Sequence, residues 1–275
     1  MKRLFMFFAA IALVFYFYGA AFAEKKIIIS PDGVSFEVKT VKIKKGGTYY
    51  KLFGKNWRLV RALNRIDEKS LRIGEEIIFP VAPGDWEKLK KWAPLPKFNR
   101  EFSGVKNAIL VDLKTQYFGA YEYGRLKFFG PISSGSEKCV KTVTIRNGGE
   151  EEDKEIVSNC ETPGGIFRSL ARHKDHVSSE YQDAEGNGVK MPYAVMFTIQ
   201  KDPDKKIKTA FWIHGGALPG YPASHGCVRV LVEDAEKIFY FVGQKNQPKE
   251  EKAEPSEIEW FSPKKSISII IIPAK

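Results

Sequence analysis

Two short apolar runs, Ala210–Ile213 and Val228–Val230, flank the fourteen residues HGGALPGYPASHGC, His214 to Cys227. Neither run is long enough for a helix, and the four glycines and two prolines between them stop one from running through. The stretch is therefore predicted as strand, tight loop and strand, with aromatic residues reinforcing the first strand. The first strand delivers His214 to the loop, and the loop returns Cys227 to the second. A thiol and an imidazole brought together this way supply both parts of nucleophilic catalysis by cysteine. The thiolate attacks and the imidazole carries the proton.

Roles within the loop follow from chemistry. Cys227 is the candidate nucleophile; a free thiol ionises near pH ~8.5, so it needs a base or positive field beside it. His214 is the candidate base, because it ends a strand that points at the loop. Gly215 offers no side chain to orient the ring, so a backbone carbonyl, that of Gly215 itself, is expected to fix its tautomer. His225 ranks second for the base and is assigned with Ser224 to the substrate groove. Gly226 lets the backbone approach a substrate, and the N–H groups of Gly226 and Cys227 are expected to form an oxyanion hole, each donor worth about 3 kcal/mol. Arg229 lies two residues past Cys227 and on a strand shares its face. It either clamps a substrate carboxylate or forms a structural ion pair.

The whole string, HG followed by a Pro/Gly loop and then S-H-G-C-V-R, resembles the active-site motif of YkuD-type L,D-transpeptidases. Further pieces resemble the family in order: ILVDLKTQYFGAYEYGRL leading to Pro131–Gly135, then Thr162–Phe167, then MPYAVMF at Met191–Phe197 beside the groove, which places Tyr193 there. The resemblance implies a mainly β catalytic domain over residues 105–243, a YkuD-like β-sandwich with short helices. It implies a cofactor-free ping-pong reaction on peptidoglycan. Cys227 attacks the carbonyl of the L-centred third residue of a tetrapeptide stem and expels D-alanine, and an amine of a second stem resolves the acyl-enzyme into a 3→3 cross-link. Water in place of the amine would make the protein an L,D-carboxypeptidase. A non-catalytic peptidoglycan-binding protein is the more remote alternative. A papain-like protease does not fit, because its cysteine opens a helix with the histidine far downstream, whereas His214 precedes Cys227 between β-like flanks.

Met1-Lys2-Arg3, an apolar core and Ala21-Phe22-Ala23 have the three parts of a secretory signal peptide over residues 1–23. Cleavage after Ala23 is expected; left uncleaved, the run would serve as a membrane anchor. Either outcome places the enzyme in the periplasm or cell envelope. A possible strand lies in residues 24–40, around Ile27–Ile29. Residues 41–82 then read as strand, helix, helix, strand: Val41 and Ile43 as on an edge strand, Thr48 as N-cap, Tyr49–Phe53 and Trp57–Leu63 at helical spacing, and Glu76–Phe79 closing before Pro80. This small α+β unit resembles a LysM module through KKGGTYYKLF, Leu63-Asn64 and LRIGEEIIFP, with Gly47 where that family carries an acid. The resemblance implies binding to N-acetylglucosamine strands; packing against the enzyme is the alternative. Residues 83–104 read as a linker with one short helix, whose Trp86 and Trp92 either stack on sugar or dock on a neighbouring domain.

Of the three cysteines, Cys139 and Cys160 bracket a charged insertion and are disulfide candidates in an oxidising compartment, leaving Cys227 reactive. His173 and His176 lack companions at metal-site spacing, so they are assigned to a solvated loop and no metal is expected. Val232–Tyr240 reads as a helix with acids in its first turn. The stretch 244–275 combines a charged linker, Gln244–Ser256, with an isoleucine-rich strand expected to pair onto a sheet. The net charge of +11 is scattered among acids, and no motif accompanies it, so nucleic acid is not an expected partner.

Overall fold

A computed structural model describes residues 26–147, 150–182, 185–201, 208–243, 258–260 and 267–274. The signal-peptide reading of residues 1–23 and the linker reading of Gln244–Ser256 lie outside them. No helix among the described residues is long and apolar enough to cross a membrane.

The N-terminal part begins with β1 (Lys26–Ile29) and β2 (Ser35–Lys42). Helices α1 (Tyr49–Phe53) and α2 (Trp57–Asn64) follow, then β3 (Glu76–Pro80) and α3 (Pro83–Lys91). The Thr48 hydroxyl caps α1 by accepting the Lys51 N–H at 3.2 Å, and Arg65 in the left-handed region ends α2. Strand order is β1-β2-β3, all antiparallel. The strand expected at an edge from Val41 is thus the central one and starts at Ser35, because the Ile27–Ile29 run supplies a third strand on its far side. Tyr49, Val60, Ile66 and Ile77 form a small core between helices and sheet.

The other strands are β4 (Asn107–Asp112), β5 (Tyr117–Glu122), β6 (Arg125–Ser133), β7 (Cys139–Asn147), β8 (Glu150–Ser158), β9 (Gly165–Arg168), β10 (Ala171–Gln182), β11 (Gly188–Lys201), β12 (Lys208–Gly215) and β13 (Val228–Val230). Helix α4 (Val232–Val242) and strands β14 (Glu259–Trp260) and β15 (Ser268–Ile272) complete the chain. Ten of these strands form one sheet in the order β14-β10-β11-β12-β13-β6-β5-β4-β15-β9. Residues from both ends of that order share one core: Ile109, Phe118 and Ile269 with Val195, Phe197 and Ile213, covered by Ile238 and Val242 of α4. Phe167 of β9 meets Phe197 of β11 at 5.4 Å, so the sheet curls over itself.

Strands β4 and β5 are buried on both faces, which explains the unbroken apolar run AILV. One face enters the shared core, while Ala108, Leu110, Tyr117 and Tyr121 pack against Phe36, Val38 and Trp92. Trp92 is only 7% exposed and meets Phe36, Tyr117 and Phe129 edge-on at 6.5, 5.7 and 5.8 Å. It welds the N-terminal sheet to the large one and offers no face for sugar stacking. The isoleucine-rich segment is interior: β15 pairs in parallel with β4 and antiparallel with β9.

Candidate active site

Strand parity builds the site. β12 and β13 run side by side in parallel, with Ile213 opposite Val228 and His214 opposite Arg229. Ile213, Val228 and Val230 point into the core. The alternating positions Trp212, His214, Cys227 and Arg229 line a cleft of about 470 Å³ on the other face, together with His176, Tyr181, Met191 and His225.

The loop between the strands is tied down along its length. Ser133 Oγ donates to the Tyr221 carbonyl at 2.8 Å, and the Ala223 and Ser224 N–H groups both donate to the Ser134 carbonyl at 2.9 Å. Gly135 bridges Ser224 in parallel, and the Ser136 N–H reaches the Ser224 carbonyl at 3.0 Å. Gly135 also donates to Thr162 Oγ1 at 2.8 Å. The Pro131–Gly135 and Thr162 pieces therefore act as a floor under the loop. A disulfide joins Cys139 to Cys160, Cα atoms 5.9 Å apart, and closes the base of the β7–β8 hairpin next to that floor. Cys227 is outside the disulfide, and it is partly exposed.

His214 is 6% exposed, and its Nδ1 lies 3.0 Å from the Gly215 carbonyl. A carbonyl only accepts, so Nδ1 carries the proton and Nε2 is left with a lone pair to receive one. Burial pushes the imidazole pKa down to about 4, the Gly215 bond opposes this, and the nearby Arg229 and His176 push it further down. The ring is neutral at physiological pH, as a base must be. Arg229 lies beside the Gly216 backbone, and its Nε, though buried, has no hydrogen-bond partner. Burial lowers its pKa while Cys227, Asp67 and Tyr221 raise it, so the guanidinium sits among these groups.

Gly226 has φ +115, and a Cβ there would overlap the Phe211 ring, so the turn into Cys227 requires glycine. Its N–H, however, donates to Ser224 Oγ at 3.1 Å, and that hydroxyl donates to the Cys227 carbonyl. In this structure the Gly226 amide thus takes part in the loop's own bracing. Ser224, 4% exposed, is the brace. Gly226→Ala is expected to slow covalent modification of Cys227 by about 100-fold, since a shift near 1 Å costs that much. Timed mass spectrometry of the adduct measures it.

His225 is exposed and stacks on Tyr181 at 4.2 Å, forming part of the cleft rim. Tyr193 does not reach the cleft. It has φ +54, which switches parity along β11, so Met191 faces the cleft while Tyr193 turns to the helix. Its hydroxyl donates to Glu236 at 3.0 Å and its ring meets Phe239. His173 and His176 lie on β10 instead of a loop, Nδ1 to Nδ1 3.0 Å, with His176 stacked on Trp212 at 4.2 Å. Burial, aided by the neighbouring His173, drops the His176 pKa to about 4. His176, Tyr181 and Trp212 are cleft residues not foreseen from sequence, while Met191 stands for the element expected beside the groove. The signal was the strand-compatible spacing of the β10–β11 hairpin. No group of three or more potential metal ligands exists among the described residues.

Residues 106–251 match the family described as YkuD, L,D-transpeptidase catalytic domain. No curated protein sequence matches the chain. Solved structures similar to it include an L,D-transpeptidase from Xylanimonas cellulosilytica, 18% identical, covering 78% of each chain, with TM-score 0.40. One from Mycobacterium smegmatis is 16% identical over 61% of this chain and 59% of that one, TM-score 0.36. Another, from Mycobacterium tuberculosis, is 16% identical over 61% and 58%, TM-score 0.36. The chain thus spans less than two thirds of the two mycobacterial proteins.

Proposed function

This chain belongs to the YkuD family of L,D-transpeptidase catalytic domains, and on that footing we propose that it is a peptidoglycan L,D-transpeptidase forming 3→3 cross-links through an acyl-enzyme on Cys227. The observation that carries the reading is the alignment of Cys227, neutral His214 and Arg229 along one wall of a single cleft. Cys227 gives its proton to His214 Nε2 as Sγ attacks the stem carbonyl, and the tetrahedral adduct collapses with loss of D-alanine. His214 returns the proton to the departing amine. The second amine then loses a proton to His214 as it displaces the thiolate. Arg229, with its Nε unpartnered, suits a stem carboxylate.

The N-terminal βααβ unit is assigned as LysM-like on its element order and on Asn64. That side chain pairs with both backbone groups of Ile78 at 2.8 Å and so fixes α2 against β3. Residues 1–23 are assigned as an export signal, which sends the enzyme to the periplasm or cell envelope and suits the Cys139–Cys160 disulfide.

Incubating residues 24–275 with a disaccharide-tetrapeptide and weighing the products tests the reaction. A cross-linked dimer is expected. A tripeptide monomer in its place would make the protein the carboxypeptidase alternative, and unchanged substrate would sink both. Retention of residues 24–82 on insoluble peptidoglycan is the measurement for glycan binding by the N-terminal unit.

A further inference from the structure

The N-terminal unit reaches the catalytic loop itself. Asp67, 9% exposed, follows α2, and its N–H donates to the Leu218 carbonyl at 2.9 Å. Leu218, in the middle of the loop between His214 and Cys227, donates its own N–H to Asp67 Oδ2 at 2.7 Å. The other carboxylate oxygen accepts the Ser70 N–H at 2.6 Å, which locks the rotamer. Ile66 pairs with Pro219 as an antiparallel bridge, and the Leu218 side chain is fully buried. Elsewhere the two parts meet through Tyr117, whose hydroxyl donates to the Ala62 and Leu63 carbonyls at 3.0 and 3.1 Å, and through an Arg61–Glu233 ion pair. A second cleft of about 510 Å³, lined by Asn64, Arg65, Pro219, Gly220 and Tyr221 among others, opens along the same seam. At this point the loop is therefore held by directed bonds together with the buried Leu218 and Ile66 side chains.

We infer that Asp67 is a positioning residue for catalysis, through which the N-terminal unit sets the loop. The inference rests on the proposed reaction for its kinetic consequence only. Two physical features carry it. A charged acceptor receiving two backbone N–H groups in a buried setting makes strong, short bonds, so the loop's midpoint has one defined position. Arg229 also feels both Asp67 and Cys227, so the carboxylate offsets part of the positive field that the guanidinium lays on the thiol. An N-terminal unit of this kind is then part of the catalytic machine as well as a candidate wall anchor.

The test reads the thiol directly, as the rate of Cys227 alkylation by iodoacetamide against pH, beside kcat and KM on the tetrapeptide. Asp67→Asn keeps the size but removes the charge and one of the two acceptor oxygens. It is expected to move the alkylation midpoint to lower pH, because Arg229 then acts on the thiolate without its counter-charge. It should also lower kcat about tenfold with KM nearly unchanged. Arg61→Gln, which cuts a different tie across the seam, should lower the melting temperature and leave both readouts as they were. An Asp67→Asn protein with the native alkylation profile and kcat overturns the inference. So does an Arg61→Gln protein that shifts them equally, since docking in general would then matter and not Asp67.

Hydrogen exchange on the unaltered protein gives an answer even if the variant does not fold. The Leu218 amide should exchange as slowly as amides of the α2 core, and fast exchange there overturns the inference. Alkylation needs no cell-wall substrate. A protein inert toward tetrapeptide but with an Asp67-dependent thiol profile would sink the functional reading and leave this one standing.

Discussion

Replacing Cys227 by alanine is expected to abolish turnover and every covalent adduct with a carbapenem, the inhibitor class that family membership implies. The other two cysteines are joined to each other, so no second thiol stands ready to take over. Cys227→Ser should be nearly as inactive, because of the base beside it. An imidazole with pKa about 4 is a weak proton acceptor, suited to a thiol and poorly matched to an alcohol. A loss of at least ~1,000-fold is expected for serine, within the range that a mismatched proton transfer costs. Intact-protein mass spectrometry after carbapenem exposure reads the adduct, and an adduct persisting in Cys227→Ala would move the nucleophile elsewhere.

The second large effect belongs to His214. Its removal, as His214→Ala, is expected to lower kcat by about 1,000-fold. In the native enzyme the loss of activity attributable to protonating this base should come near pH 4 and not near the ordinary histidine range. The same shift makes a stability statement. In the unfolded chain the imidazole takes its proton near pH ~6.5, well before the folded chain does. The unfolded state therefore binds more protons between those values. Stability contributed by the neutral, buried ring is complete above about pH 6.5 and drains away as pH falls to about 4. The loss is on the order of 3 kcal/mol. His176, half-buried and shifted the same way, adds to it. Urea unfolding at pH 7 and pH 4.5 should show a drop in the native protein that His214→Gln makes visibly smaller. An equal drop in both would refute the burial argument.

The candidate catalytic strand–loop–strand was legible because everything that defines it is local. Parity on two adjacent strands places His214, Cys227 and Arg229 on one face, and glycine at 226 answers a backbone requirement within two residues of the thiol. What the sequence hid is set by long-range register. His176 reaches the cleft only because β10 lies against β11, and Met191 only because the left-handed Tyr193 reverses the alternation. The same reversal removed Tyr193 from the groove, which the MPY motif alone could not reveal. The bond between the Gly226 amide and Ser224 Oγ was hidden for a different reason: it depends on how the loop bends between the two residues. Asp67 was invisible because its partner lies 151 residues away.

The isoleucine-rich β15 fixes the order in which this protein can be assembled. It lies between β4 and β9, yet every other strand of that sheet precedes it in the chain. Until Ser268–Ile272 leave the ribosome, β4 lacks its neighbour on that side and β9 lacks the strand that it pairs with among the described residues. The sheet thus closes last across its longest separation, the slow kind of step in which an open edge stays exposed.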